Sequence, residues 1–253
     1  MTQATIPETQ AIAPQPQETQ EHLFTFEEYL EYEGEPDVCY ELHRGILIPM
    51  SASTYLHTQI CKFLVYYLQR FFAEANLDLV ANPLGTGVRT EKNSSRIPDV
   101  VVCSQEIWEQ VADRQGAGVL DFAEKPILVV EVVSTNRRDD YVVKRNEYEL
   151  TEIAEYWIID PKKKQVRVFT NPTNEEGYEY TDFKETDTVV SPQFQDLVLS
   201  VQELLNPPLV EGLIKAEQEK LKTLEQEALS ERQRAEKLAD HLRKLGIDPD
   251  ELE

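Results

Sequence analysis

PILVVEVV, residues 126–133, places a single carboxylate inside an otherwise apolar run. Apolar on both faces and bounded by a proline, the run predicts a strand at the centre of a sheet. Side chains alternate along a strand, so Ile127, Val129, Glu131 and Val133 share one face. A second such stretch, RIPDVVVC at 96–103, carries Asp99 directly after Pro98. An unpaired carboxylate among valines protonates or destabilises the fold. A shared divalent cation keeps both ionised, and oxygen ligands suit Mg²⁺ or Mn²⁺. Lys144 lies thirteen residues after Glu131, on a helix expected from about Asp140 to Ile153, where it shares a face with Glu147 and Tyr148. A strand–loop–helix unit folds that lysine back over the strand end.

Outward from this centre, Thr25 and Glu28 have capping-box spacing and predict a helix to about Tyr32. Tyr40–Leu42 and Ile46–Ile48 flank Arg44-Gly45, a hairpin signal. Residues 56–75 repeat Ile60, Phe63, Leu64, Tyr67, Leu68 and Phe71 at helical spacing. Strands are expected at 79–80, 87–90 and 97–103, with Asn93-Ser94-Ser95 as the turn before the last. More follow at 155–160 and 166–169, then at 178–183, 188–190 and 197–199. Ser200 and Glu203 cap a short helix, VQELL.

The flanks differ. Residues 1–23 are read as a disordered acidic tail, poor in anything to bury. From 209 to 246, Ile214, Leu221, Ala228, Ala235 and Leu242 recur every seven residues, with Leu224, Leu238 and Leu245 at the companion positions. That pattern predicts a coiled-coil helix; residues 247–253 form a closing tail. Glu217 and Glu231 interrupt the seam.

Composition narrows the function. Forty-seven acidic against 25 basic residues give a net charge of -22, the opposite of a chain that grips nucleic acid nonspecifically. Three scattered cysteines exclude a disulfide scaffold and a CxxC metal ribbon. No apolar run reaches the roughly 20 residues of a membrane helix, and the first residues do not read as a secretory signal. A cytoplasmic protein is expected.

Taken together and in order, YELHRGIL, RIPDVVV, PILVVEVVS, the Arg137–Lys144 stretch and EYWIIDP resemble the Uma family of restriction endonucleases, within the PD-(D/E)XK nuclease superfamily. The similarity covers about residues 24–205, within a nuclease domain placed at 24–208. It implies an α/β restriction-endonuclease-like core, a central mixed β-sheet flanked by helices. It implies a Mg²⁺- or Mn²⁺-dependent endonuclease acting on DNA, with Asp99 and Glu131 as metal ligands. Val133 stands where the superfamily motif has its lysine, so the resemblance assigns that part to Lys144. Glu41 matches an acid that completes the metal shell. His57 matches a family histidine without an assigned role. The residues themselves leave other readings open. Glu41 could pair with Arg44, and Arg137, Arg138 and Arg145 could contact phosphate or pair with Asp139, Asp140 and Glu147. The fold could also serve as a noncatalytic module that recruits a partner. The heptads imply a homodimer.

Overall fold

The stretch at 126–133 becomes β8 (Leu128–Val132), every residue of which is buried. In the computed structural model, which describes residues 22–248 apart from positions 37, 84, 115, 135 and 247, β8 lies inside a six-stranded sheet. The order is β11-β10-β9-β8-β6-β3, built from β3 (Leu79–Pro83), β6 (Val100–Ser104), β9 (Glu155–Asp160), β10 (Gln165–Thr170) and β11 (Glu179–Lys184). The β8–β9 pair is parallel and the others are antiparallel, so the sheet is mixed. The acidic tail expected over 1–23 lies outside the described residues except for His22 and Leu23. The closing tail does so except for Asp248.

Strand alternation decides what each face packs. Leu128, Val130 and Val132 join Val100, Val102 and Trp157 against Ile60, Phe63, Leu64 and Leu68 of α2 (Tyr55–Glu74). Val129 and Val133 turn the other way with Val101, Tyr156 and Ile158, onto Tyr148. At about 25 cal/mol per Å² of apolar surface, these two layers are the main driving force for folding.

A second sheet, β2-β1-β5-β4-β7, joins β1 (Tyr40–His43), β2 (Ile46–Pro49), β4 (Gly87–Glu91), β5 (Ser94–Arg96) and β7 (Val119–Leu120). Its β1–β2 turn holds Arg44 at φ 50 and Gly45 at φ 84, the positive pair that a tight hairpin demands. Phe26 and Tyr29 of α1 (Phe26–Leu30) pack with Leu42 and Val119, and Thr25 and Glu28 form the expected reciprocal cap.

Three local readings change. Ser94 and Ser95 form a buried strand rather than a turn, because Ser95 pairs with Leu42 and Arg89 across the sheet. The sequence reading has no helix at α3 (Gln105–Ala112), although Ser104 caps it through Ile107 N at 3.2 Å. The helix expected from Asp140 begins as a π-helical segment, Asp139–Lys144, and continues as α4 (Arg145–Leu150). There the Tyr156 hydroxyl donates to the Asp140 carbonyl at 3.0 Å, and a side chain entering the backbone ladder widens a helical turn.

A two-stranded sheet, β12 (Thr188–Val189) with β13 (Leu199–Ser200), and α5 (Val201–Leu205) complete the domain. The heptad segment is one helix, α6 (Val210–Lys244), with no buried residue. Val210 and Leu213 pack against the α2 layer, and Arg70 pairs with Glu217 at 2.5 Å. Beyond that, Leu221, Leu224, Leu238 and Leu245 are exposed. We expect removal of the residues after Lys220 to leave thermal unfolding of the domain unchanged. Removal from Leu209 onward should lower the midpoint, since it strips the Val210 and Leu213 contacts. Calorimetry of the two truncations checks this.

Candidate active site

Asp99 and Glu131 owe their positions to strand register. Val100 pairs with Val130 and Val101 with Val129 in the antiparallel β6–β8 ladder, so the next position sets Asp99 opposite Glu131. Directly opposed residues carry their Cβ atoms about 4.5–5.5 Å apart on one face. Asp99 Oδ2 accepts from the Val132 amide at 2.7 Å, and Asp99 Oδ1 meets His57 Nε2 at 2.8 Å. His57 sits in the first turn of α2, below its Thr54 cap.

Glu131 is 3% exposed. Its Oε1 accepts from Lys144 Nζ and from the Tyr148 hydroxyl, each at 2.9 Å. Lys144 Nζ also stands 3.4 Å from Glu41 Oε1. Lys144 and Tyr148 are four residues apart, one helical turn, so one helix face serves Glu131 twice. Val133 lies buried in the second apolar layer instead.

Glu41 pairs with Arg96 rather than with Arg44. Arg96 NH1 donates to Glu41 Oε2 at 3.0 Å, and the Ile97 amide donates to Glu41 Oε1 at 3.0 Å. Arg44 pairs with Glu91. Arg96, 2% exposed, also forks onto Glu147 with contacts of 2.6 and 2.7 Å. Glu147 therefore belongs to this buried network and not to the arginines of its own helix. Arg137 pairs with Asp160, and Arg145 with Glu149.

Glu41, His57, Asp99, Glu131, Asp140 and Lys144 all line one cavity of about 260 Å³. Its field is mostly negative. Burial pushes Glu131 well above the usual carboxylate range; Lys144 pulls it down, while Asp99, Asp140 and Glu41 push it further up. Burial likewise raises Asp140 to about 6, against the pull of Lys144. Burial opposes the Lys144 ammonium, yet Glu131, Glu41 and Asp140 outweigh it and keep the lysine charged. For Glu41, burial pushes up, but Lys144, Arg96 and the Ile97 amide together bring it below the ordinary value.

Five carboxylates, Glu41, Asp99, Glu131, Asp139 and Asp140, line this space, and their oxygens are the ligand type that a hard divalent cation takes. In this arrangement the three expected ligands are not drawn into one tight cluster. Among the described residues, the His, Cys, Asp or Glu trio with ligand atoms all within 4.8 Å is His57, Cys61 and Asp99.

Arg96, Asp140 and Tyr148 had no assigned role in the sequence. Asp140 was legible as the residue one helical turn before Lys144. Arg96 was not, because its partners lie 55 and 51 positions away.

The family model described as "Uma2: Putative restriction endonuclease" matches residues 26–202, about seven tenths of the chain. Among solved structures, a "putative nuclease belonging to DUF820" from Anabaena variabilis ATCC 29413 superposes with a TM-score of 0.56 at 21% identity. The match covers 72% of this chain and 98% of that one, and it shows a shared fold. No curated protein matches the sequence. Among the described residues, no helix is long and apolar enough to cross a membrane.

Arg96→Met should destabilise the domain by about 3–5 kcal/mol at neutral pH, the cost of stripping the partner from buried charges. The loss should shrink in acid as Glu41, held below its ordinary value, protonates; denaturant unfolding across pH measures it. Asp140 gives the opposite pH dependence. Its folded value lies above 3.8, so its penalty is absent below about pH 4 and complete above roughly pH 6. Asp140→Asn should therefore stabilise the protein by up to about 2–3 kcal/mol near pH 8 and have little effect near pH 4. Equal effects at both pH values would show that Asp140 carries no such strain.

Proposed function

Because the chain belongs to the Uma2 family, we propose that it is a divalent-metal-dependent endonuclease that hydrolyses phosphodiester bonds in DNA. The observation carrying this reading is Glu131, buried opposite Asp99 and bonded to the Lys144 ammonium, at the wall of an open cavity. Asp99, Glu131 and Glu41 are the proposed ligands of Mg²⁺ or Mn²⁺, which when bound lowers the pKa of a coordinated water and neutralises charge on the phosphate.

The chain's own residues do the rest. His57 and the Val132 amide fix both oxygens of Asp99. Arg96 and the Ile97 amide fix Glu41. Lys144, held charged by its acidic neighbours, faces the phosphate and stabilises the negative charge that builds on its oxygens. It fills the part for which Val133 is unfit. Substrate grip in so acidic a chain needs local positive charge. Tyr141, next to Asp140, is ringed by Arg137, Lys163 and Arg167 at 5.3, 4.9 and 5.5 Å from the ring centre. Arg137 and Arg167 are ion-paired with Asp160 and Asp182, so Lys163 carries the positive charge that this ring offers a backbone phosphate.

The exposed stripe on α6 supports pairing of two copies through this helix, which would tether two active sites at high effective concentration. It also favours a second reading, a noncatalytic module that recruits another protein through the same helix.

Plasmid cleavage with Mg²⁺ or Mn²⁺ separates the two readings. Asp99→Asn and Glu131→Gln should abolish cleavage and divalent-ion binding. Lys144→Met should keep ion binding, measured by calorimetry, and lower turnover by roughly 10²–10³. Wild-type protein that never cleaves, or variants that cleave as well as wild type, would overturn the nuclease reading. Sedimentation should show the full chain associating with rising concentration and the form lacking α6 remaining a monomer.

A further inference from the structure

Cys61 takes no part in the chemistry above, yet it neighbours the His57–Asp99 pair that lines the cavity. It lies four residues after His57 on α2, so the two side chains share a helix face. The Cys61 sulfur, a His57 ring nitrogen and an Asp99 oxygen all lie within 4.8 Å of one another, and all three residues are buried. His57 adds an independent sign: its Nδ1 is buried without a hydrogen-bond partner. A buried ring nitrogen normally finds one. Burial, together with the charges of Asp99 and Glu131, keeps the Cys61 thiol protonated.

Nitrogen, sulfur and one carboxylate oxygen form a different donor set from the carboxylates of the cavity. Such a set selects a borderline-soft ion, with Zn²⁺ first, and three protein ligands leave a fourth position for water. We propose that His57, Cys61 and Asp99 form a Zn²⁺-class site, and that Asp99 serves either this ion or the hard cation of the carboxylate cavity, so that Zn²⁺ opposes the Mg²⁺-dependent reaction. Occupation releases the Cys61 thiol proton to solvent and forms a metal–thiolate bond without any change of oxidation state. The inhibitory consequence rests on the nuclease reading, whereas the site itself does not.

Co²⁺, a spectroscopic stand-in for Zn²⁺, tests the site on the full chain. Wild-type protein should develop the near-ultraviolet thiolate-to-cobalt charge-transfer absorption, and excess Zn²⁺ should bleach it. Cys61→Ala should lack the absorption, with Cys61→Ser as the closer steric match should the alanine variant unfold. A variant carrying Cys39→Ala and Cys103→Ala should retain it. His57→Gln should keep a weakened band, with affinity reduced at least the roughly 10–100-fold that loss of even an outer partner costs. No absorption in the wild type, or a band that survives loss of Cys61, would overturn the site and leave His57–Asp99 a hydrogen-bonded pair beside an apolar cysteine. In cleavage assays, Zn²⁺ should inhibit wild type and spare Cys61→Ala; equal inhibition of both would overturn the antagonism. If no cleavage occurs under any condition, the nuclease reading fails and the cobalt spectra still decide the site.

Discussion

Glu131 is a charged group in the most apolar strand of the chain, and the architecture around it exists to accommodate it. An isolated carboxylate there would cost several kcal/mol. Its two partners, Lys144 and Tyr148, both come from the helix that follows the strand. That helix must cross the end of β8 at one height and one rotation. The π-helical turn at Asp139–Lys144 sets the rotation, held by the Tyr156 hydroxyl from the neighbouring strand β9. The parallel β8–β9 pairing is what brings Tyr156 beneath that turn. Strand, crossover helix and next strand are thus locked to one another around a single buried ion pair.

The same economy extends into the second sheet. Arg96, at the end of β5, joins Glu41 of β1 to Glu147 of α4, and so ties the small sheet to the helix that carries Lys144. A guanidinium suits this because its planar fork serves two carboxylates at once. The outcome is a cavity whose walls come from five elements, in which Glu41, Asp99, Glu131 and Lys144 are each held by at least one fixed donor or acceptor. Glu131 and Asp140, raised by burial and by neighbouring carboxylates, are the strained members. Strained carboxylates of this kind gather where chemistry is done.

α6 stands apart from this network. Its first turns belong to the α2 layer through Val210 and Leu213, and the remainder projects its leucines into solvent. Helix propensity and i,i+4 ion pairs such as Lys215–Glu219 and Arg232–Glu236 contribute only a few tenths of a kcal/mol each. The exposed stripe therefore adds little to the domain and points to contacts outside it.

Much was legible along the chain because it is local. Alternation in PILVVEVV marks a buried central strand and places Glu131 on the face opposite Val130. The spacing of Lys144, Glu147 and Tyr148 marks one helix face, and Thr25 with Glu28 marks a cap. Those features depend on neighbours within a few residues, where backbone periodicity alone decides direction. Tertiary structure decided the rest. It gave Glu41 to Arg96 instead of Arg44, Glu147 to Arg96 instead of Arg145, and made Ser94–Ser95 a strand instead of a turn. It also set Cys61 beside His57 and Asp99. Each of those outcomes, the helical Cys61–His57 neighbours and the local pairing of Ser94–Ser95 with β4 apart, joins residues some forty to fifty-five positions apart. Which distant partner a charge finds is settled by how sheets and helices close over one another, because a buried charge takes whichever opposite charge the packing brings within reach.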